Sequence, residues 1–332
     1  MAIFDTSIES QEGLRTVKPR LMLDEISEPG ASEMEEYFER ALSLPPDLDP
    51  GFSAALRHLL DHPGSMVRPR LVSRVAAAYG MEASVANDLA IALEYFHTAS
   101  LVFDDMPSMD NATSRRGAPC VHIPFGEAGA TLAALALINR AYALTWKATA
   151  ACPRALQAQA MEYLEQRLGV NGLLNGQSRD LNYAQLPHDR ETTERIACGK
   201  TVSLIRLTLV LPALLGGASR REVRLLERMA MCWGLGYQMV DDLKDVLQTS
   251  AESGKTAARD LHLDRPNIAL AIGVPAAVAR LTHLIRLGDR MLERLLDIRP
   301  ALTFLRKLCT DLQTELSRVT DNACDLTGSL ET

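Results

Sequence analysis

Two segments of this chain, "LAIALEYFHTASLVFDD" (89–105) and "MAMCWGLGYQMVDDLKDV" (229–246), limit its fold more than any other feature. Both are long, both are apolar nearly all round a helical wheel, and each ends in a pair of aspartates followed by a further one. A helix without a polar face has to lie inside a bundle, since any exposed side would leave hydrocarbon in water. Neighbouring bundle helices that end this way can bring their carboxylates to opposite walls of one cavity.

The rest of the chain agrees with that picture. From "ASEMEEYFERALSL" (31–44) onward, apolar residues recur at helical spacing almost continuously. Breakers such as "LPPDLDPG", "DHPGS", "RRGAP", "LPHDR", "GGAS" and "DRPN" divide it into segments too long for strands. No alternating run is bounded by hairpin turns, and no repeat of fixed period occurs. With 47% hydrophobic but only 5% aromatic residues, the composition favours helices packed on helices over a sandwich of β-sheets. The expectation is an all-α fold, one domain over 31–332 with roughly ten or more helices around a central cavity. Residues 1–30 are polar without steady periodicity and are expected to form a mobile arm.

Net charge is −7 and no basic tract is interleaved with aromatics, which argues against nucleic acid as a partner. The six cysteines have no metal-ligand spacing and read as thiols of a reducing compartment. The N-terminus "MAIFDTSIESQEG" carries acids where a secretory signal has a basic start. The uncharged stretch "AGATLAALALIN" falls well short of the ~20 residues that span a bilayer. These features lead to the expectation of a soluble cytoplasmic protein without a membrane span.

The acidic ends carry the chemistry. Asp241 and Asp245 are four apart and share a helix face with Asp242 beside them. Asp104 and Asp105 are followed by Pro107, which loosens the helix and lets Asp110 fold back. Carboxylates converging at the end of an apolar helix repel one another and resist desolvation. A hard divalent cation is their natural occupant, and Mg²⁺ takes one or two carboxylates and keeps the remaining positions for water and phosphate oxygens. One such cluster alone is as readily a solvated helix terminus. Two, with Arg115 and Arg116 just after the first, point to one site for a metal-bound anion.

At these residues the sequence resembles the trans-isoprenyl diphosphate synthases, the polyprenyl synthetase family that includes farnesyl and geranylgeranyl diphosphate synthases. The likeness runs from about residue 50 to 325. "DDMPSMDNATSRRG" is similar to the family's first aspartate-rich motif in its longer form, and "YQMVDDLKD" to the second. Between and after them, in family order, stand "GQSRDL" (176–181), "GKTVSLI" (199–205) and "GKTAARDLHLDRPN" (254–267). The resemblance implies the isoprenoid synthase fold and an Mg²⁺-dependent condensation of isopentenyl diphosphate with an allylic diphosphate. It implies three Mg²⁺, with Mn²⁺ as a substitute: Asp104 and Asp110 hold two, Asp241 the third, and Asp105, Asp242 and Asp245 support them. Arg115, Lys200, Lys255, Gln177 and Arg265 are implied to contact the allylic diphosphate. Thr201 and Gln238 are implied to stabilise the allylic cation through oxygen dipoles, with Lys200 beside them. A homodimer is also implied. Read without this context, Lys200 is an exposed lysine at a helix start, and Gln177 and Asp180 are helix caps or bridges.

The acceptor side departs from the family. Where it carries Gly-Gly-Lys-Arg-x-Arg-Pro, this chain has "PGSMVRP" (63–69): Arg68 remains, Ser65 replaces the lysine and Met66 the next arginine. Arg68, His97, Arg116 and Ser65 are left to hold isopentenyl diphosphate, with Arg70 as an extra cation nearby. In the late loop Ala258 replaces a glycine and Arg265 a lysine. Two other readings follow from the missing lysine: a class I terpene synthase-like enzyme that ionises a prenyl diphosphate without extending it, and a non-catalytic partner subunit. Product length is expected to be set one and two turns before Asp104. Ala99 and Ser100 are small there, and Phe96 and Tyr95 form the floor. This predicts geranylgeranyl diphosphate, with farnesyl diphosphate as the nearest alternative.

Overall fold

The structure, a computed structural model, describes residues 31–247 and 265–328, with side chains between 33 and 318. The expected arm over 1–30, Lys255 and Ala258 lie outside the described residues. In order the helices are α1 Ala31–Ala41, α2 Pro50–Leu60, α3 Val67–Ala78, α4 Ala83–Asp104, α5 His122–Ala150, α6 Arg154–Leu168 and α7 Leu173–Leu181. They continue with α8 Arg190–Ala197, α9 Ser203–Leu215, α10 Arg220–Leu247, α11 Ile268–Ile272, α12 Val274–Leu296 and α13 Leu305–Gly328.

Local sequence explains several boundaries. Asp49 caps α2 by accepting a hydrogen bond from the Phe52 amide, with Pro50 at the first helical position. Ser219 and Glu222 open α10 as a reciprocal capping box: the Ser219 amide donates to Glu222 Oε2 (2.9 Å) and the Glu222 amide to Ser219 Oγ (3.3 Å). The two all-apolar segments become α4 and α10. On α4, Leu89, Ala90, Ile91 and Ala92 have no exposed surface at all, and each leucine-sized side chain so buried contributes about 1.5–3 kcal/mol. The helix lies mainly against α5 and α3, while α10 lies against α12 and α9.

Arg190–Leu215 is long and apolar enough by composition to cross a membrane, but most of its apolar window is buried inside the bundle. It is a core helix of the fold. Between α4 and α5 the chain closes a two-residue ladder that the sequence pattern did not reveal: β1 Ser114–Arg115 pairs antiparallel with β2 Ala118–Pro119. Arg116 (φ 53°) and Gly117 (φ 79°) make its turn, and two central residues at positive φ match the twist of a tight hairpin.

Candidate active site

The α4 helix stops at Asp104 because Pro107 disfavours helical backbone in the residue before it. The chain then folds back: the Asp110 amide donates to the Asp104 carbonyl (2.9 Å) and the Ala112 amide to the Asp105 carbonyl (3.2 Å). Asp110 therefore returns beside Asp104, as its spacing suggested. Burial pushes the Asp104 carboxyl up to about 6; Lys200 pulls it down, and the neighbouring Asp110 and Asp180 push it further up. Asp105 is used differently. Arg115 grips it with two hydrogen bonds of 2.6 Å each, from Nε and Nη2. In this structure Asp105, expected beside the metal, and Arg115, expected on the allylic diphosphate, are committed to each other.

Facing this end is a break in helix geometry. Residues Cys198–Val202 form a single π-helical segment between α8 and α9, the kind of bulge that clusters at functional sites. The Lys200 Nζ donates to Asp180 Oδ2 at 2.9 Å. Burial works against the ammonium, but Asp180 and Asp104 outweigh it and raise the Lys200 pKa above its ordinary value. Next in the segment, Thr201 Oγ1 donates to Gln238 Oε1 (2.7 Å) on α10.

Gln238 Nε2 in turn donates to Asp242 Oδ1 (2.8 Å), whose other oxygen accepts from the Ile268 amide (2.8 Å) at the start of α11. Asn267 caps α11 and donates to the Asp242 carbonyl (3.0 Å). Asp242 is thus a buried strut, whereas Asp241 is exposed and Asp245 half-buried. Arg265, just before α11, reaches the first acidic end and α7. Its Nη2 donates to Asp110 Oδ1 (2.8 Å) and the Met109 carbonyl (3.2 Å), and its Nη1 lies 3.5 Å from Asp180. Gln177 Nε2 reaches Met109 Sδ at 3.7 Å.

Among the described residues no three His, Cys, Asp or Glu side chains are gathered so as to hold a metal ion by themselves. A magnesium site completed by phosphate and water needs only one or two carboxylates per ion. Asp104 and Asp110 at the first acidic end and Asp241 and Asp245 at the second are the carboxylates that could offer hard oxygens to such ions, and it is burial above all that raises the Asp104 pKa.

On the acceptor side, Ser65 is exposed, and Arg70 folds back onto its carbonyl (3.0 Å) and that of Met66 (3.2 Å). His97 is held well below its ordinary pKa by burial and then by Arg68, Arg116 and Arg115, so its imidazole is neutral near pH 7. Arg116 Nη1 donates to the carbonyls of His62 (3.1 Å) and Pro63 (2.7 Å). Its Nη2 lies 3.4 Å from Glu94 Oε1. Glu94 was missed in the sequence reading. Its signal was a lone acid in the middle of an apolar helix, three residues before His97.

Of the residues assigned to product length, Ala99 is fully buried and Phe96 meets Tyr142 of α5 edge-on, with ring centroids 4.9 Å apart. Ser100 Oγ turns to the His97 carbonyl (2.8 Å). Tyr95 does not share their surroundings: its ring packs on Phe38 of α1 and its hydroxyl donates to the Phe38 carbonyl. The expectation that Tyr95 helps form a floor is therefore corrected, because the helical twist points it at α1.

The chain matches the model of the polyprenyl synthetase family over residues 49–289. It is 40% identical over 238 residues to geranylgeranyl pyrophosphate synthase 7, chloroplastic, of Arabidopsis thaliana, covering 71% of this chain and 68% of the relative. It is 34% identical over 279 residues to the chloroplastic geranylgeranyl pyrophosphate synthase of Capsicum annuum, covering 79% and 76%. Its fold is similar to that of a geranyltransferase from Helicobacter pylori complexed with magnesium and isoprenyl diphosphate, with TM-score 0.70, 25% identity and coverage of 89% and 99%. The plant relatives are named as chloroplastic, which overturns the expected cytoplasmic location. The acidic N-terminal stretch on which that expectation rested does not separate the cytosol from an organelle. With residues 49–289 of its 332 matched to the family model, and motifs and fold in agreement, the chain belongs to the polyprenyl synthetase family.

Proposed function

We propose that this protein is a trans-prenyltransferase that condenses isopentenyl diphosphate with an allylic diphosphate and makes chiefly geranylgeranyl diphosphate. The observation that carries this reading is the π-helical segment standing between two acid-ended helices. Lys200 meets Asp180 beside Asp104, while the next residue, Thr201, meets Gln238 and through it Asp242. Such an arrangement offers a cation to a leaving diphosphate and an oxygen dipole to the carbon it leaves. Mg²⁺, three ions in this reading and replaceable by Mn²⁺, would be held by Asp104, Asp110, Asp241 and Asp245 and would neutralise charge gathering on the diphosphate.

The chain's own groups bind, orient and shield. Lys200, Gln177 and Arg265, together with Lys255 outside the described residues, hold the allylic diphosphate. Arg265 exchanges its present carboxylate partners for it. Arg115 serves from behind by fixing Asp105, and Asp242 fixes Gln238. As the allylic C–O bond breaks, the Thr201 hydroxyl oxygen and the Gln238 amide oxygen face the developing cation. The acceptor double bond then attacks to form the new C–C bond, and the departing diphosphate takes the proton. The apolar walls of the bundle keep water from the cation. Ala99 and Ser100 leave room for the prenyl tail and Phe96 stops it.

A second reading is favoured by one observation, the exposed Ser65 in place of a lysine: ionisation without chain extension. Incubation with Mg²⁺, labelled isopentenyl diphosphate and each allylic diphosphate separates the two. Extended prenyl diphosphates support the first, hydrocarbons or alcohols the second, and no turnover would leave only a partner-subunit role.

A second copy of the chain is the proposed partner. On α5, Leu132, Leu135, Tyr142 and Trp146 recur at helical spacing on one side, and all are exposed, Trp146 by 67%. Apolar residues so aligned on the surface mark an interface. Tyr142 extends this stripe inward to Phe96. Light scattering should give a dimer for the native chain and a monomer for Trp146→Asp.

A further inference from the structure

We propose that Glu94 is a positioning residue for the acceptor diphosphate: buried within α4, it fixes the guanidinium of Arg116 beside Arg68 and His97. The inference rests on the chain-elongating reaction proposed above.

Glu94 is 3% exposed, flanked on α4 by the buried apolar residues Leu93, Tyr95 and Phe96. A carboxylate in such a place is retained only with a charged partner, and Arg116 lies 3.4 Å away. Arg116 is itself held in a rare conformation, at φ 53° in the tight hairpin turn. Its guanidinium is fastened from the other side by the carbonyls of His62 and Pro63, at 3.1 and 2.7 Å. The next residue, Gly64, takes φ +87°, which favours glycine, and a Cβ there would lie 2.6 Å from Arg116 Cζ, so the guanidinium would have to shift. Loop 62–64 and Glu94 thus clamp the guanidinium between them.

Beside the clamp are two buried groups that lack protein partners, Arg68 Nε and His97 Nδ1. Buried nitrogens are left unpaired in folded proteins only rarely. Two of them next to a fastened arginine describe a cradle for an anion. One acid against Arg68 and Arg116 leaves the cradle net positive, so Glu94 orders the cations without cancelling them. Because Ser65 supplies no charge, affinity at this site depends on how well the remaining cations are held in place before the ligand arrives.

Steady-state kinetics of Glu94→Gln, which keeps the shape and removes the charge, tests this. The KM for isopentenyl diphosphate should rise about tenfold, the scale of one charge-assisted hydrogen bond, with the KM for the allylic diphosphate moving less than about twofold. In an Arg116→Gln background the same substitution should add almost nothing, since both changes remove one interaction. An unmoved acceptor KM, an equal rise in both KM values, or additive effects would overturn the proposal. If Glu94→Gln does not fold, Gly64→Ala disturbs the same guanidinium while α4 stays intact. It should give the same selective rise, and an unchanged acceptor KM there would equally overturn it. A native protein that never extends a prenyl chain refutes the proposed function; a native protein that does, with an indifferent Glu94→Gln, refutes the role of Glu94 alone.

Discussion

Gly176 of α7 and Gly199 of the π-helical segment touch backbone to backbone. A Cβ on Gly176 would lie 2.3 Å from the Lys200 amide nitrogen, and one on Gly199 would lie 2.7 Å from the Gly176 Cα. This approach sets Lys200 against Asp180 at 2.9 Å and so places the cation of the site. The obstructing atoms are main chain and cannot swing aside. Gly176→Ala should therefore force α7 and the π segment apart, costing about 1–3 kcal/mol by overpacking. Differential scanning fluorimetry should show the lower melting temperature. Turnover should fall further than that loss explains, because Lys200 moves off its partner. A variant with native stability and activity would mean the contact is not tight in solution.

Asp104 joins stability and activity with opposite signs. Its carboxyl stands at about 6 in the folded protein against an ordinary 3.8. Between those values the folded state holds the proton that the unfolded state has released. Stability from this group is complete below the lower value and is lost as pH climbs through the higher one. Asp104→Asn cannot ionise, so in metal-free buffer it should be more stable than the native protein at pH 7.5 and gain nothing at pH 4. The gain should be about 1–2 kcal/mol, discounted from the full shift because the carboxyl is partly in contact with solvent. Its turnover should drop at least ~10³-fold, the scale of losing one strong transition-state stabiliser. Near-native turnover would contradict the assignment of Asp104 to the metal.

Ser65→Lys should restore a cation to the acceptor loop. A charge-assisted contact is worth about 1.5–3 kcal/mol, so the KM for isopentenyl diphosphate should fall tenfold or more while that of the allylic substrate stays put. Arg70 is turned onto the carbonyls of Ser65 and Met66, which leaves the added lysine as the nearer donor. Unchanged kinetics would show that another cation already fills the role.

Product length should follow the line from Asp104 toward Phe96. One helical turn is about 5.4 Å, close to the length of one isoprene unit. Ala99→Phe should shorten the product toward C15, and Phe96→Ala should lengthen it beyond C20 by opening the space against Tyr142. Chromatography of the dephosphorylated products reads both. If Ala99→Phe left the distribution untouched, the tail would not pass this part of α4.

Helical periodicity and breakers marked where the helices lie, because an apolar wheel and a proline act within a few residues of themselves. The acidic ends were legible for the same reason: Asp104, Asp110, Asp241 and Asp245 declare themselves by their spacing and by the apolar runs before them. The resemblance in motif order then named the chemistry that Lys200, Thr201 and Gln238 suit.

Which neighbour each residue meets was settled only by the tertiary structure. Spacing puts Asp104 and Asp105 side by side and cannot tell that Asp105 is gripped by Arg115, ten residues on at the end of the loop that folds back after α4. Asp242 looks like its neighbour Asp241 until α11 returns to cap it. Tyr95 and Phe96 are adjacent and alike in sequence, yet a 100° step of the helix sends one ring to α1 and the other to α5. Glu94 is an oddity in an apolar helix until the loop at 62–64 brings Arg116 to it from a distant part of the chain. A sequence carries the period of a helix and the chemistry of its side chains. The partner across a contact depends on how whole helices pack, and that is a property of the assembled bundle.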